Sequence, residues 1–227
     1  MTKKFFIGII CFFIFQVSFA QQNGFQKEWA LGANAGVTLS NVNFYTSVPQ
    51  NQLIQGTGGL SIRYISEKHF GIQAELNYSL RGWEEKTDTV SRLNKYARSI
   101  SYIELPVMTH LYFNMGKKAR LVFNFGPQLG YYLDEKILKK EIDPRLEGLW
   151  EYEYYDTKIQ QPLDYGLVGG GGFELRTGVG NFILDGRYYY GLSDIFNNKK
   201  RADRFQSSSN QIVGIKLSYL FNMNKKN

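Results

Sequence analysis

The sequence predicts an all-β protein, an eight-stranded antiparallel transmembrane β-barrel that follows a cleaved signal peptide. Apolar and polar residues alternate with a period of two along eight segments, the pattern of strands with two different faces. Each segment has roughly 10–16 residues, which exceeds the usual strand of soluble proteins and is enough for a tilted strand to cross a membrane. Long and short connections also follow one another in strict alternation, as in outer-membrane barrels.

Residues 1–20 have the three parts of a secretory signal peptide. Lys3 and Lys4 precede an apolar run from Phe5 to Phe15, and Ser18-Phe19-Ala20 offers small residues for cleavage. The alternative is an uncleaved membrane anchor. The apolar run is shorter than the roughly 20 residues of a spanning helix, so the signal peptide is favoured.

Residues 21–227 are predicted to form one barrel domain. The chain has 16% aromatic residues and 23 glycines but only 5 prolines, a composition that suits many strands and tight turns. Its formal net charge of +7 is scattered along the chain, which indicates solvated loops and lumen and argues against nucleic-acid binding. The only cysteine, Cys11, lies in the signal peptide, so the mature domain is expected to have neither disulfides nor thiolate ligands.

The last predicted strand, Gln211 to Phe221, shows the alternation clearly. Its apolar face carries Val213, Ile215, Leu217, Tyr219 and Phe221. If this face meets lipid, Leu217→Arg should block membrane assembly, whereas Ser218→Arg on the opposite face should be better tolerated.

The predicted connections fall into two classes. The short ones are Glu67-Lys68, Asn114–Lys117 and Thr177–Gly180, and the long ones are Asn41–Ile54, Trp83–Ala97, Glu135–Gln161 and Ser193–Ser208. With a periplasmic N-terminus, all four long connections would lie outside the cell.

The polar faces carry charges of both signs, which we predict to form a charge network in the lumen. Its members are Arg63, Glu75, Arg81, Glu104, Glu174, Arg176, Asp185, Arg187 and Lys216. A narrow lumen would require this near balance of four acids and five bases. A soluble, lipocalin-like periplasmic carrier with the apolar face inward is the alternative. Aromatic residues near strand ends favour the membrane barrel, because interfacial girdles have this pattern; they include Trp29, Tyr131, Tyr188, Tyr190 and Phe221.

Three short segments carry a family resemblance. They are Leu31-Gly32-Ala33-Asn34-Ala35-Gly36, Tyr102-Ile103-Glu104-Leu105-Pro106-Val107 and Asn124-Phe125-Gly126-Pro127-Gln128-Leu129-Gly130. The chain resembles the PorT-like outer-membrane β-barrel family of Bacteroidetes, whose members often show a Tyr-x-Glu-x-Pro strand and a Gly-Pro-x-x-Gly strand. The resemblance covers nearly all of the mature chain and implies an outer-membrane location. Most members have no assigned activity, and the motifs do not place this chain in the secretion and gliding branch.

Two features of the strands have structural interpretations. Pro106 is expected to bend the barrel wall, and Glu104 is expected to pair with a lumen arginine such as Arg63 or Arg187. Gly169–Gly172 lies within a strand and is not followed by Gly-Lys-Ser/Thr, so it indicates a kink or space for a bulky lumen neighbour and not a phosphate loop.

No enzymatic activity, cofactor or metal is predicted. His69 and His110 fall in different strands without a carboxylate at metal-ligand spacing, and His110 is predicted to face the lumen. No Ser/His/Asp constellation is visible. A binding surface is possible in the longest connection, where aromatic residues stand among acids; alternatively, these rings rest on the barrel rim. They are Trp150, Tyr152, Tyr154 and Tyr155.

These observations predict a small, monomeric outer-membrane barrel with a plugged lumen, because the interior of an eight-stranded barrel is just filled by side chains. Its role would be structural, or binding through the long loops. Outer-membrane lipid is one predicted partner, and a surface or periplasmic protein is another. The alternatives are a narrow pore, a component of a secretion or transport assembly, and the lipocalin-like carrier.

Overall fold

The computed structural model describes residues 25–44, 49–86, 95–141, 158–196 and 208–223. The predicted signal peptide lies outside these residues. No helix in the described ranges is long and apolar enough to span a membrane.

The described chain consists of antiparallel strands. They are β1 (Glu28–Phe44), β2 (Gln50–Asn51), β3 (Leu53–Glu67), β4 (Phe70–Glu85), β5 (Lys95–Met115), β6 (Ala119–Glu141), β7 (Leu163–Arg176), β8 (Asn181–Gly191) and β9 (Ser208–Asn222). Among the described residues, the two residues of β2 pair with the end of β4. The other eight strands match the eight segments predicted from the alternation.

The eight long strands close into a ring. Each pairs with its neighbours along the chain, and β1 pairs with β9 from Ala30↔Asn222 to Phe44↔Ser208. Every barrel strand therefore has a hydrogen-bonded partner on both sides. A closed ring is the arrangement in which strands satisfy their backbone groups inside a bilayer.

The two ends of the barrel differ. We call the end with the tight β3–β4, β5–β6 and β7–β8 connections the turn end; the start of β1 and the end of β9 also lie there. The opposite end, which we call the loop end, has the longer connections that follow Phe44, Glu85, Glu141 and Gly191.

The apolar faces point outward and the charged faces point inward. Leu217 is 57% exposed on the outer surface, whereas Glu75, Arg63 and Arg81 are buried inside. This orientation excludes the lipocalin-like alternative, in which the apolar face would line the interior. The rings predicted to form girdles are also exposed on the outside, and Trp29 packs on Tyr64 with ring centroids 4.5 Å apart.

Strands β5 and β6 are longer than predicted, with 21 and 23 residues. Their hairpin includes residues up to Glu141 that the sequence assigned to a loop. Two register shifts, at Ala97/Arg98 and Ser101/Tyr102, accompany this extension. A bulge places an extra residue in one strand and so breaks the alternation of faces. The period-two pattern therefore fades before the strand ends.

Two prolines sit within the barrel wall without forming a bulge. The β4–β5 pairing is interrupted opposite Pro106 and the β5–β6 pairing opposite Pro127, yet neither register shifts there. Proline lacks a backbone N–H, so each of the two prolines removes one hydrogen bond from a ladder. The structure thus shows a local gap in pairing where a bend was predicted.

Candidate functional site: the lumen

The charged residues inside the barrel form three clusters along its axis. We name them the turn-end, middle and loop-end clusters after their places in the strands. Apolar layers lie beyond the first and the last of them.

The turn-end cluster joins opposite walls of the barrel. Arg63 on β3 donates to both oxygens of Glu174 on β7, at 2.8 and 3.1 Å. His110 Nδ1 lies 2.8 Å from Asn124 Oδ1, which confirms that its ring faces the lumen. Arg120 adds a further cation, 4.0 Å from Glu174. The apolar layer at this end comprises Ala30, Ile65, Tyr112, Val122, Ile183 and Leu220.

The middle cluster is built around Glu75. Arg187 donates to both Glu75 oxygens at 2.8 Å, and the Lys216 ammonium lies 2.9 Å from one of them. Gln73 and Asn77 also donate to this carboxylate, at 2.8 and 3.0 Å. Bidentate arginine pairs and ionised partners give the stronger class of hydrogen bond, so Glu75 is held firmly in place.

A second carboxylate completes the middle cluster. Asp185 accepts from Arg187 at 2.7 Å. The cluster therefore has two acids, Glu75 and Asp185, and two bases, Arg187 and Lys216. All four side chains are less than a tenth exposed. Because the two negative and two positive charges cancel, their mutual attraction offsets the free-energy cost of removing them from water.

The loop-end cluster is centred on Arg81. Its guanidinium pairs with Asp164 on β7 and with Glu104 on β5, the latter at 2.7 Å. The rings of Tyr102 and Tyr189 flank it at 4.7 and 4.6 Å, distances at which cation–π attraction adds to the ion pairs. The Tyr189 hydroxyl also donates to Asp164 at 2.9 Å.

An apolar cap lies beyond the loop-end cluster. It consists of Val42, Phe44, Trp83, Tyr96, Ile100, Tyr102, Ile195 and Phe196, all buried. Trp83 is at its centre, with Phe44 and Tyr96 at ring distances of 5.5 and 6.0 Å. Arg98 lies 5.7 Å above the Trp83 ring and 3.6 Å from Glu135, so the cap also has an ion pair at its edge.

A small cavity of about 40 Å³ separates the middle and loop-end clusters. Its lining includes Glu104 of the loop-end cluster, Arg187 and Lys216 of the middle cluster, and Gln128. Such a volume has room for a few water molecules, which the polar lining can hydrogen-bond.

Most residues predicted for the charge network lie in these clusters, with two differences. Glu104 pairs with a lumen arginine as predicted, but this arginine is Arg81 and neither of the two named examples, because Glu104 and Arg81 both lie in the loop-end half of their strands. Arg176 lies at the turn-end rim, where it pairs with Glu28 at 3.2 Å and its side chain is 34% exposed. The four aromatic residues of the predicted loop surface lie outside the described residues.

The sequence-based network omitted two central residues. Asp164 accepts hydrogen bonds from Arg81, Tyr189, Ser193 and Asn210. Asp164 and Glu174 are an even number of residues apart on the same strand, so both lie on the inward face. The alternation of the sequence therefore already indicated that Asp164 faces the lumen. Arg120 is likewise an even number of residues from Asn124, which faces inward, so Arg120 faces the lumen too.

Glycines in β7 make room for the middle cluster. A Cβ atom on Gly170 would lie 2.2 Å from the Gly186 carbonyl oxygen and 3.0 Å from the Arg187 side chain. One on Gly172 would lie 2.1 Å from the Leu184 carbonyl oxygen and 2.8 Å from the Asp185 side chain. This supports the interpretation that the run provides space for bulky lumen neighbours.

The chemistry of the lumen is that of paired ions. Among the described residues, no group of three or more His, Cys, Asp or Glu side chains is arranged to hold a metal ion. Each carboxylate of the three clusters has a cationic partner within 4.0 Å. Such an arrangement holds opposite walls of the barrel together.

Several solved outer-membrane proteins are similar in structure. For Ail, the attachment invasion locus protein of Yersinia pestis, the TM-score is 0.42 at 15% identity, covering 86% of this chain and 99% of that one. For OprG from Pseudomonas aeruginosa, it is 0.45 at 11% identity, covering 86% and 95%. For Neisserial surface protein A, it is 0.47 at 10% identity, covering 86% and 99%.

Sequence comparison identifies the family. No curated protein sequence matches the chain. The family model described as outer membrane protein beta-barrel domain matches residues 19–197. An outer-membrane location agrees with the closed ring of strands and its apolar outer surface. The chain is an outer-membrane β-barrel protein and belongs to the outer membrane protein beta-barrel domain family.

Proposed function

We propose that the protein is a non-conducting barrel whose own side chains plug the lumen, and that it serves as a rigid support for surface loops. The observation that carries this proposal is the stacking of three ion-pair clusters between two apolar layers. An ion moving along the axis would have to break buried pairs such as Arg63–Glu174, Arg187–Glu75 and Arg81–Glu104. Breaking one buried pair is costly, because it leaves an uncompensated charge.

The rival function of a narrow pore has less support. The cavity of about 40 Å³ is the feature that favours it, but this cavity lies between the middle and loop-end clusters. We also propose that the protein has no enzymatic activity, acts as a monomer in outer-membrane lipid and does not bind nucleic acid. A role in a secretion assembly rests on the PorT-like motifs alone and is the second candidate.

Planar-bilayer recording tests the plugged lumen. The purified, folded barrel is expected to give no steady current steps under an applied voltage, because the charge clusters block the axis. A general porin reconstituted at the same protein-to-lipid ratio is the positive control. Large and steady openings of the unmodified protein would contradict the proposal.

The support role requires the loop end to face outside the cell. In outer-membrane barrels the short turns are periplasmic and the long loops are extracellular, so we assign the loop end to the surface. The four aromatic residues of the longest connection remain the predicted binding surface there.

Epitope insertion tests this orientation. A short epitope placed between Asn198 and Lys199 is expected to bind antibody on intact cells. The same epitope placed between Gly116 and Lys117, in the turn-end connection of β5 and β6, should bind only after the outer membrane is permeabilised. Labelling of the Gly116 insertion on intact cells would show that the assigned orientation is reversed.

A further inference from the structure

The segment Leu192–Phe196, which we call the strap, follows β8 and lies over the loop end of the lumen. Ile195 and Phe196 are buried in the apolar cap, with the Phe196 ring 6.5 Å from that of Trp83. The Ile195 N–H donates to the Ser208 carbonyl at 3.0 Å, and the Phe196 N–H donates to the Ser208 hydroxyl at 3.2 Å. One anchor of the strap is therefore apolar and rests on β4 through Trp83.

The other anchor of the strap is a hydrogen bond to a buried carboxylate. The Ser193 hydroxyl donates to Asp164 Oδ1 at 2.5 Å and accepts from the Tyr165 N–H at 3.0 Å. Asp164 is almost fully buried, and its other oxygen pairs with Arg81. The strap is thus tied through one carboxylate to the loop-end cluster.

Both anchors of the strap lead to residues of β4: one contacts Trp83 directly, and the other reaches Arg81 through Asp164. Arg81 and Trp83 are two residues apart on β4, so both side chains point into the lumen. The strap also meets the described end of the longest connection, because Gln160 and Gln161 donate their N–H groups to the Ile195 carbonyl at 3.2 and 3.3 Å. The strap is therefore hydrogen-bonded to the longest connection just before that connection enters β7.

We propose that the strap is a lid and that Asp164 is its latch. The lid closes the loop end of the plugged lumen, so this inference rests on the proposed function. Releasing Ser193 from Asp164 removes the anchor at the carboxylate and leaves the strap held by the burial of Ile195 and Phe196 and by their hydrogen bonds to Ser208. Arg81, whose position depends on the same carboxylate, is then less constrained. The cavity lined by Glu104, the other partner of Arg81, then becomes reachable from the loop end. The barrel wall stays fixed, because its ladders are closed all round.

Amide hydrogen exchange tests the latch. In Ser193→Ala, which removes only the strap's hydroxyl, the Ile195 and Phe196 amides are expected to exchange at least tenfold faster than in the unmodified barrel. Asp164→Asn should also increase the exchange rates of these two amides. Migration on unheated gels, which differs for a closed barrel, verifies that each variant is folded.

Two matched substitutions serve as controls. Ser61→Ala removes a buried lumen hydroxyl that accepts from Asn34 at 2.8 Å, and Asp185→Asn removes a buried carboxylate that pairs with Arg187. Neither residue contacts the strap, so both controls should leave the two amides within about twofold of the unmodified rate.

The outcomes separate the lid from the plug. Unchanged protection of Ile195 and Phe196 in folded Ser193→Ala and Asp164→Asn would overturn the latch, even if the barrel never conducts. Steady current through the unmodified protein would instead overturn the plug, whatever the exchange rates show. Faster exchange in all four variants would also count against a specific latch.

Discussion

Glu75→Gln is expected to lower the free energy of unfolding by about 3–5 kcal/mol, the usual cost of breaking a buried ion pair by removing one partner. The Glu75 carboxylate is fully buried and holds Arg187 and Lys216. The substitution keeps the shape of the side chain but leaves two cations with only Asp185 as a counter-charge. The cavity of about 40 Å³ that Arg187 and Lys216 line has room for only a few water molecules to solvate them.

Urea titration of vesicle-embedded protein, followed by gel migration, would measure this loss. Glu84→Gln is the matched control: Glu84 pairs with Lys139 at 2.6 Å, but the side chains are 26% and 52% exposed. An exposed pair contributes about 0–1 kcal/mol, so this variant should change little. Equal losses in the two variants would contradict the importance assigned to burial.

A double substitution distinguishes charge from shape in the same experiment. Adding Lys216→Gln to Glu75→Gln removes one cation with the anion and leaves Arg187 paired with Asp185. The double variant is therefore expected to be more stable than Glu75→Gln alone. Such non-additivity is the signature of residues in one network.

The second large effect is expected on the outer face. Leu217→Arg should cost about 2–4 kcal/mol, because an arginine near the bilayer midplane has to be desolvated or has to distort the lipid. Leu217 lies within β9, between Ala35 of β1 and Leu184 of β8, and it points outward. The yield of heat-modifiable protein in the membrane fraction would measure the effect.

The control for depth is Gln211→Arg on the same strand face. Gln211 lies six residues away, roughly 20 Å along the strand and close to the loop end. Arginine near the membrane interface costs only about 0–1 kcal/mol, so this variant should assemble. If Gln211→Arg assembled no better than Leu217→Arg, the membrane belt would have to be placed differently.

The structure changes the expectation for Ser218→Arg. The sequence indicated a polar face with room for arginine, but Ser218 is almost fully buried inside the lumen. An arginine there would overfill a packed interior, so this variant should be destabilised as well. Alternation identifies which face a residue is on, but it does not show how full that side is.

The strand faces were predictable because each depends only on neighbours in the sequence. Leu217 and Ser218 were placed correctly from a period of two, and so was His110. The end of β6 was not, since the bulges near Tyr102 shift the alternation by one residue. A bulge is fixed by the pairing with another strand, which no single segment reveals.

The membership of the charge network was largely predictable, but its pairing was not. Arg63 and Glu174 stand on β3 and β7, which share no ladder, so their contact depends on the stagger of the whole ring. Glu104 meets Arg81 because of the register between the neighbouring strands β4 and β5, which the sequence of either strand alone does not reveal. The alternation placed Asp164 on the inward face, but its central position in the loop-end cluster was missed because its partners come from β4, β8, β9 and the strap.

The pairing of β1 with β9 closes the ring, and we call this pairing the seam. Because the ring is closed, the order of the hairpins around it would be the same wherever the chain began. The Met223 N–H donates to the Trp29 carbonyl at 2.8 Å, so the two ends of the described barrel lie side by side at the turn end. A short linker could join them, and the chain could be reopened at the turn around Gly116 without disturbing any ladder. A circularly permuted chain would then reach the same barrel. Its assembly would show that the closing seam can lie between β5 and β6 instead of between β1 and β9.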